Sequence, residues 1–245
     1  MYKTIYNSSG SQENMRVVIK LGGSLLREAP EIIDRLVEEF APRGAGPGKE
    51  SLREEESSET EPAETEPACI LIVPGGGIFA DAVREADRTF GLGEDASHWM
   101  AVLGMEQYAC CLLDKSRAAA TYSIEQPEPG VSVLFPYGLL KAEDPLPHSW
   151  DVTSDTIAAW VAQQTGASFV KATDVDGVFL EGKLVEEISA SDLAAAGTSC
   201  VDRAVPEFLM KTGMDCMIVN GKYPERVLLA VHGKPVPGTA VKGNI

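Results

Sequence analysis

Histidine is scarce in this sequence and cysteine is unpaired. His98, His148 and His232 are scattered, and Cys69, Cys110, Cys111, Cys200 and Cys216 show no C-x-x-C spacing. That pattern speaks against a histidine metal centre, a zinc site or a disulfide frame, and predicts buried thiols in a reducing cytoplasm. Basic charge is also short: 21 Lys and Arg stand against 37 Asp and Glu, a formal net charge of −16. A general nucleic-acid surface would need a basic face to neutralise phosphates, so nucleic acid is not an expected partner. No apolar run reaches the roughly 20 residues that cross a bilayer, which excludes a membrane helix. Met1 to Asn14 is polar and has no apolar centre of the kind a signal peptide carries. A G-x-x-x-x-G-K-[ST] loop is missing, and so is a protein-kinase catalytic loop.

What is present is an alternation of apolar runs and helical patterns over 245 residues, enough for one large α/β domain. Arg16 to Leu21, Cys69 to Val73, Val131 to Phe135, Ser168 to Ala172 and Cys216 to Val219 read as strands. Continuous apolarity such as Cys69-Ile70-Leu71-Ile72-Val73 is the mark of a strand covered on both faces. Helices are expected over 29–40, 78–88, 96–115, 153–164, 205–212 and 224–231, with Thr153 or Ser154 as a cap. Leu139 to Pro147 reads as a loop, and Glu181-Gly182 as a hairpin turn. Strands that alternate with helices predict an α/β fold, a mainly parallel sheet with helices on both faces. The expected organisation is a tail at 1–14 and a single domain at 15–245, interrupted by an acidic insertion at 43–68. Eight glutamates crowd Glu50 to Glu66 among Gly, Pro, Ser and Thr, a composition that cannot bury enough apolar surface to order itself.

Two strands empty into glycine turns, Lys20-Leu21-Gly22-Gly23-Ser24 and Pro74-Gly75-Gly76-Gly77. Bare backbone at a helix start accommodates anions, and Lys20 adds a point charge. The second turn formally satisfies a dinucleotide fingerprint through Gly75, Gly77 and Ala80, but the acidic residue that should end a second strand is Asp95, between two helical stretches. Two anion cradles with lysines suit phosphoryl transfer, which needs in-line positioning and positive charge on the migrating group.

These elements resemble the amino acid kinase family. The resemblance runs from about Arg16 to Lys242 and rests on both glycine turns, Ser154-Asp155-Thr156-Ile157-Ala158-Ala159, Thr173-Asp174-Val175-Asp176-Gly177-Val178-Phe179, Met210-Lys211 leading to Val219-Asn220-Gly221, and Gly238-Thr239, in that order. It implies a three-layer αβα sandwich, ATP and Mg²⁺ as cofactors, a small-molecule phosphate acceptor as partner and a homo-oligomer. It also implies roles. Lys20 and Lys211 would neutralise the moving phosphoryl, with Asp155 holding both lysines. Gly22, Gly23 and Ser24 would contact the donor phosphates, and Thr173, Asp174, Gly177, Val178 and Phe179 would line the nucleotide pocket. Gly75, Gly76 and Gly77 would hold the acceptor, joined by Ser154; no dedicated protein metal ligands are expected, the Mg²⁺ arriving on the ATP phosphates.

Within the family, Leu146 to Asp155 is most similar to small archaeal members that convert an aminomethylfuran phosphate to its diphosphate in methanofuran biosynthesis. Trp150 would present a flat face to the ring and Asp151 a countercharge to the ammonium. An acyl-phosphate-forming amino acid kinase, or a nucleotide-dependent oxyanion storage protein of the same fold, are the alternatives.

Overall fold

The apolar runs become the parallel centre of one sheet. In the computed structural model, which describes residues 15–40, 68–197 and 200–244, β1 (Arg16–Leu21), β2 (Cys69–Pro74), β4 (Gly130–Leu134), β5 (Ser168–Thr173) and β9 (Cys216–Asn220) run side by side in parallel. β3 (Ala119–Thr121) extends one edge; β10 (Gly238–Lys242) joins β9 antiparallel and carries β8 (Glu187–Ser189) at the other. The order β3-β4-β2-β1-β5-β9-β10-β8 puts β1 near the middle. β6 (Phe179–Leu180) and β7 (Lys183–Leu184) form the expected hairpin, turned by Glu181 and Gly182 at φ +50° and +77°. The tail and nearly all of the acidic insertion lie outside the described residues. Ala68, placed by the sequence in that insertion, is instead buried in the core.

Helices cover both faces, making the αβα sandwich. α1 (Ala29–Phe40) and α8 (Pro224–Val231) pack on one face, while α5 (Ser154–Thr165), α6 (Ala190–Ala196) and α7 (Ala204–Thr212) pack on the other. α2 (Gly77–Phe90) lies along the long α3 (Glu94–Lys115), whose two ends contribute to different halves of the core. The segment from Leu139, read as a loop, belongs to α4 (Pro136–Glu143). Pro136 stands at its start, where a missing N–H costs no helical hydrogen bond. Of the five cysteines, Cys69 and Cys216 are buried, whereas Cys110 is exposed and Cys111 and Cys200 are partly so.

Strand alternation fixes which side chains meet which layer. In β1, Val17, Ile19 and Leu21 join the α1/α8 core and Val18 joins the α5 core, so Lys20 must face α5. In β5, Val170 and Ala172 point to the first core and Phe169 to the second, which sends Lys171 to the same side as Lys20. The register pairs Lys20 with Lys171 directly.

Candidate active site

Two lysines placed side by side beneath a helix require a counterion, and α5 supplies it. Asp155, in the first turn of α5, receives Lys20 Nζ on Oδ1 at 2.8 Å and Lys171 Nζ on Oδ2. The Lys20 contact is an ion pair off hydrogen-bond geometry, whereas Oδ2 also accepts the backbone N–H of Asp202 at 3.1 Å. Lys20, Asp155 and Lys171 keep 7%, 4% and 2% of their surface exposed, so their charges interact with little solvent screening. Burial works against every one of them. It pushes the Lys20 ammonium below its usual range against the pull of Asp155. For Asp155 the same penalty is overcome by attraction to Lys171 and Lys20, which holds the carboxyl well below the ordinary carboxylate range. At Lys171 the Asp155 contact likewise outweighs burial and raises the ammonium.

This arrangement corrects the role expected of Lys211. Parallel strands deliver their C-terminal ends to one edge of the sheet, where the glycine turns lie. α7 returns the chain to the start of β9, so its last turn, with Lys211, sits at the opposite edge and is exposed. Asp155 is held by Lys171 in its place. The signal was a lone lysine inside the apolar run Phe169-Val170-Lys171-Ala172, at a position whose neighbours face the core.

Asp202 was also missed, because its partners lie 46 to 49 residues upstream. Its carboxylate accepts the N–H groups of Thr153 at 2.8 Å and Thr156 at 3.1 Å, together with both hydroxyls. These include one of the orphan donors of the α5 N-terminus, so the helix that presents Asp155 is capped from α7's approach. Thr153 is the cap residue, as expected.

The two glycine turns, separate in sequence, touch. A Cβ on Gly23 would overlap the Gly77 backbone, and Gly77 adopts φ +50°. Gly22 and Gly75 are spent on structure: their N–H groups donate to Ala172 O at 3.0 Å and Leu21 O at 2.8 Å, so neither is available to a phosphate. The groups left at the turn are Gly23 and Ser24, and, at the start of α2, Gly76 and Gly77. Together with Lys20 they form one end of a cavity of about 560 Å³.

The remaining walls come from α2, α3, α5 and the segment before α5. Trp150 and Ser154 are among them, as expected, but Asp151 is not; its carboxylate is exposed, 3.9 Å from Arg203. The carboxylates that line the space are Asp81, Asp87 and Glu94. The Trp150 indole donates to Asp87 at 2.8 Å, and Arg84 covers one ring face at 5.0 Å while pairing with Asp81. His98 also lines the cavity and stacks on His148 at 4.2 Å, so these two histidines are neighbours and not the isolated residues the sequence implied. His148 bonds Asp95 at 2.6 Å and Asp144 at 2.8 Å, tying the segment that bears Trp150 to the start of α3.

Beyond β5 lies a second group. Asp176 accepts from Asn220 at 2.9 Å and Arg226 at 2.6 Å, which fastens the Thr173–Gly177 loop to the end of β9. Asp174 faces Lys222 at 3.8 Å, and Phe179 is half exposed. Val178 turns away: its side chain is buried and its N–H donates to Thr239 Oγ1 at 2.9 Å. Gly177, at φ +151°, sits where a Cβ would collide with that hydroxyl.

A buried lysine at a junction of glycine turns, a cavity on one side and a polar loop on the other define a phosphate-handling α/β protein. The chain belongs to the amino acid kinase family, whose model matches residues 15–220, and it is a kinase of that family. It is similar to the [5-(aminomethyl)furan-3-yl]methyl phosphate kinase of Methanocaldococcus jannaschii, 28% identical over 226 residues that cover 89% of this chain and 93% of that protein. A uridylate kinase of Thermofilum pendens is 24% identical over 256 residues, 92% of this chain and 97% of its own. Among solved structures, uridylate kinase from Archaeoglobus fulgidus has the same fold, with TM-score 0.62 and 21% identity over 93% of this chain and 100% of that one.

Proposed function

We propose that the protein transfers the γ-phosphoryl of ATP to the phosphate of a small ring-bearing amine, with [5-(aminomethyl)furan-3-yl]methyl phosphate as the acceptor and its diphosphate as product. An acceptor phosphate oxygen attacks the γ-phosphorus, the bond to the β–γ bridging oxygen breaks, and ADP leaves. Lys20 stabilises the charge on the migrating group, and the N–H groups around Gly23, Ser24 and Gly77 orient the phosphates. Thr173, Asp174, Gly177 and Phe179 border the nucleotide. Mg²⁺ would arrive on ATP, held by phosphate and water oxygens.

The observation that carries the acceptor assignment is the lining of the cavity. Lys20 and the glycine turns mark its phosphate end, while Trp150, His98 and the carboxylates of Asp87 and Glu94 line the rest, a combination suited to an aromatic ring with an ammonium. The similarity to the Methanocaldococcus protein points the same way. Trp150 and Ser154 keep their acceptor-side places in this reading; the ammonium's countercharge passes from Asp151 to Asp87 and Glu94.

The test is ATP turnover with the aminomethylfuran phosphate, uridine monophosphate and a panel of amino acid carboxylates, with products followed by phosphorus NMR. A diphosphate of the furan, formed at the highest kcat/KM, is expected. Preference for uridine monophosphate, a hydroxylamine-trappable acyl phosphate, or ATP binding without acceptor-dependent ADP release would each overturn the acceptor assignment.

A further inference from the structure

Lys171 has no place in the phosphate cavity, yet it is the most deeply buried charge of the site. A buried cation away from the chemistry is costly, so its retention calls for a reason. The reason lies in the charge balance around Asp155. Lys20 borders the cavity and Asp155 touches it at 2.8 Å, so these two alone would form a neutral pair, and a phosphoryl group beside Lys20 would meet a dipole. Lys171 approaches the other carboxylate oxygen from behind, on the adjacent strand, at the same level of the sheet. Within the contact triad of Lys20, Asp155 and Lys171, two ammoniums and one carboxylate carry one net positive charge, and Lys20 is the member that borders the cavity. The Asp202 carboxylate next to it also attracts Lys20 but is taken up by the Thr153 and Thr156 donors of α5.

We infer that Lys171 is a positioning residue of the phosphoryl-transfer site: it neutralises and anchors Asp155 so that Lys20 presents an uncancelled positive charge to the migrating phosphoryl. The inference rests on the kinase reading of the site. It assigns the second lysine of the cluster to β5, and it separates two jobs that look alike in sequence. Lys20 meets the phosphate; Lys171 meets only protein.

The geometry explains why the device uses three charges. Asp155 is fixed on both sides, by Lys171 and by the Asp202 N–H on Oδ2, leaving Oδ1 to Lys20 alone. Without Lys171 the carboxylate would keep Lys20 as its only cation among the described residues and draw it fully into an internal pair. Without both Lys171 and Asp155, the contact triad again carries one net positive charge, on Lys20, with the more distant Asp202 unchanged.

Two variants test this. Lys171→Met retains the Lys20–Asp155 pair and should fold, with kcat lowered about 10²-fold, the loss typical of one transition-state charge. Lys171→Met combined with Asp155→Asn should recover kcat to within about 10-fold of the unaltered protein, because the net charge at Lys20 returns. A purely structural lysine predicts the reverse, since the second substitution removes a further buried contact. Wild-type kcat in Lys171→Met, or a double variant as slow as the single one, would overturn the inference. Calorimetric ATP binding gives a readout independent of the acceptor. Affinity should fall about 10-fold in the single variant and recover in the double one, by the same loss and return of a charge facing phosphate. If no acceptor is turned over by the unaltered protein, the kinase reading fails on its own terms, and unchanged ATP affinity in Lys171→Met then overturns the charge inference.

Discussion

At the scale of single residues, the chemistry of this protein depends on which lysine is buried. Lys20 and Lys211 were indistinguishable as lysines near glycine motifs; the sheet puts one against Asp155 and the other at the far edge, exposed to water. Lys20→Met should therefore lower kcat by about 10²-fold or more with the fold retained. Lys211→Met should leave kcat within about twofold, as surface substitutions away from a site do; steady-state kinetics on both variants checks the contrast. The stacked histidines give a second residue-scale outcome. Burial and the neighbouring His148 charge lower His98 to about 4, whereas the Asp95 hydrogen bond, with help from Asp144 and against burial, raises His148 above its usual value. Ring-proton NMR should show the two titrating on opposite sides of about 6.5. The sign for stability follows by linkage. The unfolded chain binds the His98 proton first, so that group costs stability as pH falls from about 6.5 towards 4. The His148 contribution is complete below about 6.5 and is lost as pH rises through its raised value.

At the scale of elements, the site is the set of C-terminal strand ends and the helix starts beside them. α5 carries Asp155 down onto β1 and β5, and Asp202 holds the first turn of that helix through four hydrogen bonds. Asp202→Ala should cost about 1–2 kcal/mol, the usual loss for a helix cap. For a chain of this size that is a fall in Tm of about 2–8 °C, read by thermal denaturation. The elements themselves were largely legible. Continuous apolar runs gave the parallel strands, and 3.6-residue periodicity gave α1, α2, α3, α5 and α8. Short elements were not: β3, β8 and α6 have too few residues to show a period, and α4 was hidden because Pro145 and Pro147, just past its end, mark Leu139 to Pro147 as a loop.

For the molecule as a whole, the parallel centre of the sheet explains why functional groups from Lys20 to Asn220 share one edge. None of the described helices is long and apolar enough to cross a membrane. The acidic run between α1 and β2 contributes eight glutamates against three basic residues within 42–67. Its composition assigns it no core role, so deletion of residues 45–65 should leave Tm and kcat/KM nearly unchanged; a large loss in either would assign that run a role.

The sequence by itself determined the fold class and the family, and it named most of the residues that the structure brings together at the glycine-turn end of the cavity. Those depend on local signals: apolar period, glycines where the backbone must come close, and motifs whose order along the chain is preserved. Lys20, Asp155, Gly23 and Gly77 were all named from such signals. Only the tertiary structure decided that Gly22 and Gly75 use their N–H groups internally, that Val178 faces the core, that Asp151 lies outside the cavity and that Lys171 is the second cation. Each of those outcomes is a contact between segments far apart in sequence. Composition and spacing count the charges and donors, but burial and strand register determine which are spent on one another and which remain for a ligand.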